Sequence, residues 1–300
     1  MRIRVARPDD APAVVALRAT VHPYLVRGVE STRKMIADPP PTPGWTALVA
    51  EADDRVVGWV SAEPNGRTST ANFGDINLLH VHPEHRRRGI GNALLAAATD
   101  HLRPLGVRRV RAMAQPDALP FARQHGFEPS RGMRYSALDL DPVPSFPDPP
   151  PGVRLRPVAE LDPHVLYAAD VVSALDEPGD VPVDAISYQI WQNDVWDNLG
   201  LDRTASTAAE VDGEVAAFSL VKRDGDRMWS DYTGSVPAYR GRGLARLAKT
   251  AALHRAAAAG VRVAYTSNDE ANAPMLAINA RLGYRPVAAE WSCLADLTGP

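Results

Sequence analysis

Two short basic turns carry the residues best equipped for chemistry. The first runs Val81-His82-Pro83-Glu84-His85-Arg86-Arg87-Arg88-Gly89-Ile90-Gly91 and leads into Asn92-Ala93-Leu94-Leu95. The second runs Val236-Pro237-Ala238-Tyr239-Arg240-Gly241-Arg242-Gly243-Leu244-Ala245. Glycine lets the main chain come close to a ligand, and the first turn of a helix leaves N–H groups without partners at the positive end of its dipole. Anions fit there, phosphates above all, and the neighbouring arginines favour a diphosphate over a single phosphate. Neither turn has the Gly-Lys-Ser/Thr of a P-loop or the Gly-x-Gly-x-x-Gly of a dinucleotide fingerprint.

Two other groupings have chemical potential. His80-x-His82-x-x-His85 has metal-ligand residue types, and His80 and His82 share a side if their segment is a strand. No cysteine or carboxylate completes the set, so no metal is expected. Tyr188, Trp191 and Trp196 either line an acceptor pocket or pack beneath a domain.

The elements that must hold the turns read as strand, turn and helix. An apolar run from Ile76 to Val81 is a strand that Pro83 ends, and Leu94, Leu95, Ala98 and Leu102 then recur at helical spacing. The arrangement returns with Pro237, Arg240, Arg242 and Gly243 each 154 positions after Pro83, Arg86, Arg88 and Gly89 (237 − 83). Gly106-Val107-Arg108 recurs as Gly260-Val261-Arg262 at the same spacing, and Gly126-Phe127 as Gly283-Tyr284, now 157 apart (283 − 126). A single such turn is also what an ordinary helix start on a solvated surface looks like. Two in register, with a period this long, mean duplicated domains.

The expected domains are residues 1–140 and 153–300, joined by a proline-rich extended linker over 141–152. In the first, residues 2–7 form a strand and Asp9 or Asp10 starts a helix. Residues 22–43 give no clear element, and 46–51 and 56–60 form a hairpin about Asp53-Asp54-Arg55. A last helix near 120–125 and a strand around 135–140 complete it. The second half repeats the plan, with a helix near 163–175, a hairpin about Asp212-Gly213, the motif strand over 228–236 and a helix over 244–259.

Length, at 300 residues, suits two domains, and 45% hydrophobic with 23% charged residues suits a globular chain. A formal charge of −3 offers no case for nucleic acid. Cys293 is the only cysteine, no apolar run approaches a membrane span, and the N-terminus has no signal-like apolar core, so a cytoplasmic monomer or homodimer is the expectation.

Arg-x-x-Gly-x-Gly at 86–91 and Arg-x-x-Gly-x-Ala at 240–245, each after a strand ending in valine and proline, resemble the acyl-coenzyme A binding signature of the GNAT N-acetyltransferases. The resemblance covers nearly the whole chain. It implies an α/β (α+β) fold of two tandem domains, each a mixed, mostly antiparallel sheet flanked by helices. It also implies acetyl-coenzyme A as cofactor and transfer of its acyl group to a small-molecule amine. The implied cofactor residues are Leu79, Val81, Arg86, Arg87, Arg88, Gly89, Ile90 and Gly91 in the first half. In the second they are Val236, Arg240, Gly241, Arg242, Gly243, Leu244 and Ala245, with Asn268 and Asn272 from an Asn-rich segment that has no equivalent in the first half.

Such a reaction deprotonates an ammonium, holds a carbonyl as it becomes an oxyanion and stabilises a leaving thiolate. N–H groups near Val81 or Val236 are placed to polarise the carbonyl. Asp231, with Tyr232 second, is the expected base in the second half, and Asp75 or Glu63 in the first. Many family members carry a tyrosine four residues before the Gly-Phe to protonate the thiolate. Ala122 and Asn279 stand there, and neither can serve. The second half, with the fuller cofactor set, is the expected catalyst. Rivals are a non-catalytic acyl-coenzyme A sensor or scaffold and, within the family, a thiol-biosynthetic role.

Overall fold

The computed structural model describes residues 1–297, and its chain divides into two compact units. The first holds residues 1–133 together with the segment from Ala289, and the second holds Arg134–Ala288. The expected domains 1–140 and 153–300 divide the chain at other places than these units do. Two twelve-residue strands, Glu128–Asp139 and Arg285–Asp296, each begin in one unit and end in the other. Strand pairing is non-local, so nothing in either strand's own residues announces which sheet it will join.

In the first unit β1 (Arg2–Val5), β2 (Thr46–Ala52), β3 (Arg55–Pro64), β4 (Phe73–Val81) and β5 (Arg109–Ala114) lie side by side in that order. The final strand β12 (Arg285–Asp296) continues the sheet by pairing antiparallel with β5 from Trp291↔Ala114 to Asp296↔Arg109. Only β4 and β5 run parallel. The motif strand starts at Phe73, three residues before the apolar run that signals it.

Helices α1 (Ala11–Val21) and α2 (Val29–Ala37) cover one face, packing Val14 and Leu17 with Trp59, Val49 and Ala47. Helix α3 (Ile90–Leu102) covers the other, with Leu94, Leu95, Ala98 and Leu102 buried at the spacing its sequence predicts. Helix α2 lies in the stretch without a clear sequence element. Its core contribution is only Thr32, Met35 and Ile36 among charged residues, too few for a periodicity to register. Helix α4 (Leu119–Gln124) and the first half of β6 (Glu128–Asp139) follow.

The second unit repeats the plan. It begins with the remainder of β6, and the proline-rich segment after it is extended as expected, with His254 Nε2 bonded to Pro144 O at 2.7 Å. Strands β7 (Val153–Pro157), β8 (Thr207–Val211), β9 (Glu214–Asp224), β10 (Arg227–Ser235), β11 (Val263–Asp269) and β6 are neighbours in that order, with β10 and β11 parallel. Helix α5 (Pro163–Ala174) and the single turn α6 (Tyr188–Trp191) cover one face, and α7 (Leu244–Ala258) covers the other. Helix α8 (Ala273–Leu282) precedes the start of β12.

Candidate functional site

In the first unit Pro83 opens a short 3-10 turn after β4. Arg87 and Gly89 then adopt positive φ, at 59° and 78°, and Gly89 caps α3. In the second, Pro237 does the same, with Gly241 and Gly243 both at 75°. Neither cap has a side chain to accept from the helix, so the first-turn N–H groups of α3 and α7 lack intrahelical partners. A Cβ on Gly89, Gly241 or Gly243 would meet no heavy atom within 4 Å. Donors under open space are what a diphosphate needs, and the residues present fit that group.

The signature residues divide by role. Ile90 and Leu244 turn their side chains into the core, leaving only their backbone to a ligand. Arg86 and Arg240 hold the turn itself: their Nε atoms donate to Val81 O and Ser235 O, both at 3.2 Å. Their outer nitrogens meet Asp117 and Asp176 respectively. Arg87 and Arg88 are exposed, and Arg242 lies over the Tyr239 ring. Ala245 and Gly91 stand one residue into their helices, and a Cβ on Gly91 would press on the Phe121 ring at 3.3 Å.

Beside each turn the parallel strands separate. Pairing of β4 with β5 stops at Ile76↔Ala112, whereas its antiparallel side continues to Val81. Pairing of β10 with β11 stops at Trp229↔Tyr265, whereas β10 stays on β9 to Ser235. Irregularities mark the separation: Leu78 takes φ 53°, and the β10 register shifts between Ser230 and Thr233. Such bulges re-aim backbone and side chains near sites. In the first unit His82 N donates to Val57 O, and ladder groups alternate, so Leu79 and Val81 present their N–H groups to the unpaired edge. In the second, Val236 N donates to Ala216 O at 3.0 Å, so Val236 has no N–H to offer a carbonyl, and Thr233 and Ser235 occupy the open-edge positions.

Asp231 lies on β10 with an oxygen 2.8 Å from Lys222 Nζ, and both side chains are about a fifth exposed. Tyr232 packs against Phe218, and burial, reinforced by the nearby Glu177, Asp170 and Asp176, drives its phenol well above the usual range. Its hydroxyl therefore stays protonated at ordinary pH. Trp191 is fully buried and donates to Asp170 at 2.6 Å, which settles its role as core; the Tyr188 and Trp196 rings both stack with it, at 6.0 and 6.1 Å between centroids.

Asn268, the penultimate residue of β11, accepts at 2.6 Å from the Asn279 side chain, whereas Asn272 caps α8 by accepting from Met275 N at 3.2 Å. Asn272→Ala should therefore destabilise the second unit by about 1 kcal/mol, read as a lowered denaturant midpoint with an unchanged slope.

In the first unit Asp75 is buried against Arg111 and Asn65, each at 2.8 Å. Glu63 accepts from Asn77 at 3.3 Å. An unpredicted pair stands nearby: His22 Nε2 lies 3.0 Å from Glu290 Oε1, both nearly fully buried, with the His80 ring 6.2 Å from His22. Burial, with His22 and Arg18 beside it, pushes His80 down to about 3, so it stays neutral at any ordinary pH. His82 lies outside the strand against His85, so the three histidines do not converge, and among the described residues no group of three ligating side chains is placed to hold a metal. A separation of 268 positions between His22 and Glu290 (290 − 22) left no sequence signal for their pairing.

Comparison with known proteins gives the same layout. The model of the Acetyltransferase (GNAT) family matches residues 16–127 and again 171–284. A mycothiol acetyltransferase of Amycolatopsis mediterranei is 30% identical over 80% of this chain and 81% of its own. One from a Nocardioides species is 29% identical over 80% and 85%. Among solved structures, a tandem GNAT protein from the clavulanic acid biosynthesis pathway superposes over 100% of this chain and 99% of its own with TM-score 0.76 at 23% identity. With two matched regions coinciding with the two turn-bearing units, the chain belongs to the GNAT acetyltransferase family as a tandem member.

Proposed function

We propose that this acetyltransferase moves the acetyl group of acetyl-coenzyme A onto a primary amine of a small molecule, by direct attack in a ternary complex, with the second unit as the catalyst. The observation that carries the reading is the second unit's slot. Strands β10 and β11 part at Ser230, beside a helix start whose two left-handed glycines leave its donors under open space. The coenzyme supplies the acyl group as a thioester. The α7 N-terminus holds the diphosphate, with Arg240 fixed to Asp176 as the scaffold of the turn. N–H groups of Thr233 and Ser235 polarise the carbonyl. Asp231, ion-paired with Lys222, takes the proton from the acceptor's ammonium.

Thiol release from acetyl-coenzyme A, followed across a panel of small amines, tests this. Turnover should appear with at least one amine and fall about a hundredfold in Asp231→Asn at matched cofactor saturation. Cofactor binding with no thiol release from any amine would make the protein a sensor or scaffold instead. The named relatives favour one acceptor in particular, the unacetylated form of mycothiol, which belongs first in the panel.

A further inference from the structure

Six positions that are hydrocarbon in the first unit are polar in the second. Ile76, Leu95, Ala112, Ala114, Ala122 and Phe127 belong to, or pack on, the core beneath α3. Their counterparts, 154 positions on for the first four and 157 for the last two, are Ser230, Lys249, Thr266, Asn268, Asn279 and Tyr284. Sheet register agrees, since Ile76 opposes Ala112 and the Trp229↔Tyr265 pair stands one residue before Ser230 and Thr266.

The polar residues form a connected set. Lys249 Nζ lies 5.0 Å from the Tyr284 ring centroid, and the Tyr284 hydroxyl faces Ser230. Thr266 Oγ1 donates to Ser230 O at 3.2 Å and Asn279 Nδ2 to Asn268 Oδ1 at 2.6 Å, while Tyr284 N donates to Asn279 O at 3.0 Å as Phe127 N does to Ala122 O in the first unit. All but Asn268 are buried, and Ser230 Oγ, Asn279 Oδ1 and Tyr284 Oη have no hydrogen-bond partner. Among the described residues no charged side chain offsets the burial of Lys249, which alone lowers its ammonium to about 7. Each unsatisfied buried atom costs about 1–3 kcal/mol, and a buried unpaired ammonium costs more. The first unit builds the same fold without any of them. Ser230 stands where β10 and β11 part, which puts that end of the set beside the slot that the α7 turn opens.

We propose that Lys249 is the catalytic acid of the second unit, giving a proton from Nζ to the sulfur of coenzyme A as it leaves. This rests on the reading that the second unit transfers acetyl from acetyl-coenzyme A. The acceptor nitrogen bonds to the acetyl carbon, the carbon–sulfur bond breaks, its electron pair goes to sulfur, and sulfur takes the Lys249 proton. The acceptor sheds two protons, one as its ammonium becomes an amine and one as the amide forms; both leave through Asp231 to solvent, and solvent returns one to Lys249. A thiol of ordinary pKa about 8.5 holds that proton more tightly than the buried amine does, so the transfer runs downhill. Lys249 thus supplies the acid that Asn279, at the position of the family's tyrosine, cannot.

The test uses coenzyme A itself on two full-length proteins, both carrying Gly89→Glu to close the first turn, one also carrying Lys249→Leu. Leucine is the first repeat's own residue at this place, so the variant folds. Thiolate absorbance is followed as pH rises. With Lys249 present its amine, neutral over this range, donates a hydrogen bond to the sulfur, so the bound thiol should ionise about half a pH unit or more below its value in the leucine variant, the two proteins binding with similar affinity at neutral pH. Identical thiol ionisation overturns the role of Lys249 and leaves the acetyl-transfer reading standing. Failure of the protein with Lys249 to take up coenzyme A overturns both.

Discussion

Gly243→Glu abolishes acetyl-coenzyme A binding by the second unit, lowering its affinity by more than a thousandfold. At φ 75° any side chain costs about 1 kcal/mol of backbone strain. Strain alone is therefore a small effect, and Gly243→Ala, whose Cβ meets nothing within 4 Å, should weaken binding less than tenfold. The glutamate adds a carboxylate at the α7 N-terminus, where it takes the donors a diphosphate needs and repels that group's charge. Losing several charge-assisted hydrogen bonds of about 1.5–3 kcal/mol each accounts for the fall. Calorimetric titration of the wild type, Gly243→Ala, Gly243→Glu and Gly89→Glu separates the contributions. If Gly89→Glu removes the heat and Gly243→Glu does not, the first unit holds the cofactor and the assignment of catalysis to the second fails.

The turns were legible because a ligand's diphosphate constrains backbone, and backbone constraints appear as glycines at set spacing. The hairpins were legible for the same local reason: Asp53-Asp54 and Asp212-Gly213 take the positive φ values that tight turns demand. What escaped the sequence was non-local. Glu290 meets His22 only because the end of β12 joins the first unit's sheet, and twelve residues of strand carry no mark of where they cross from one unit to the other. The open-edge donors fall on Thr233 and Ser235, not on Val236, because hydrogen-bond phase along β10 is set by its pairing with β9. Lys249 was visible in principle, as the one charged residue in a helix face that is leucine in the first repeat. Its meaning required knowing that this face is buried.

Lys249→Leu stabilises the second unit at neutral and acidic pH, by about 3–5 kcal/mol, and the gain shrinks as pH rises. The lysine has its ordinary pKa of 10.5 in the unfolded chain and one lowered to about 7 in the folded protein. Below pH 7 both forms are charged, and the folded state carries the full penalty of an ammonium in an apolar interior, about 1.4 kcal/mol for each tenfold difference in proton affinity. Between about 7 and 10.5 the folded amine is neutral while the unfolded one still binds its proton. Stability therefore climbs with pH across that window. Above it both are neutral, and the variant keeps only the advantage of packing leucine where Leu95 sits in the first unit. Denaturant midpoints for the two proteins at pH 6, 8 and 10 should converge steadily. A constant gap would mean that Lys249 finds a counter-charge or water in the folded state. A leucine variant less stable than wild type at pH 6 would mean that the polar cluster holds the unit together. A protein that keeps so costly a residue inside a core its own first repeat fills with hydrocarbon keeps it for chemistry, and the stability gained on removing it measures how much the fold gives up for that purpose.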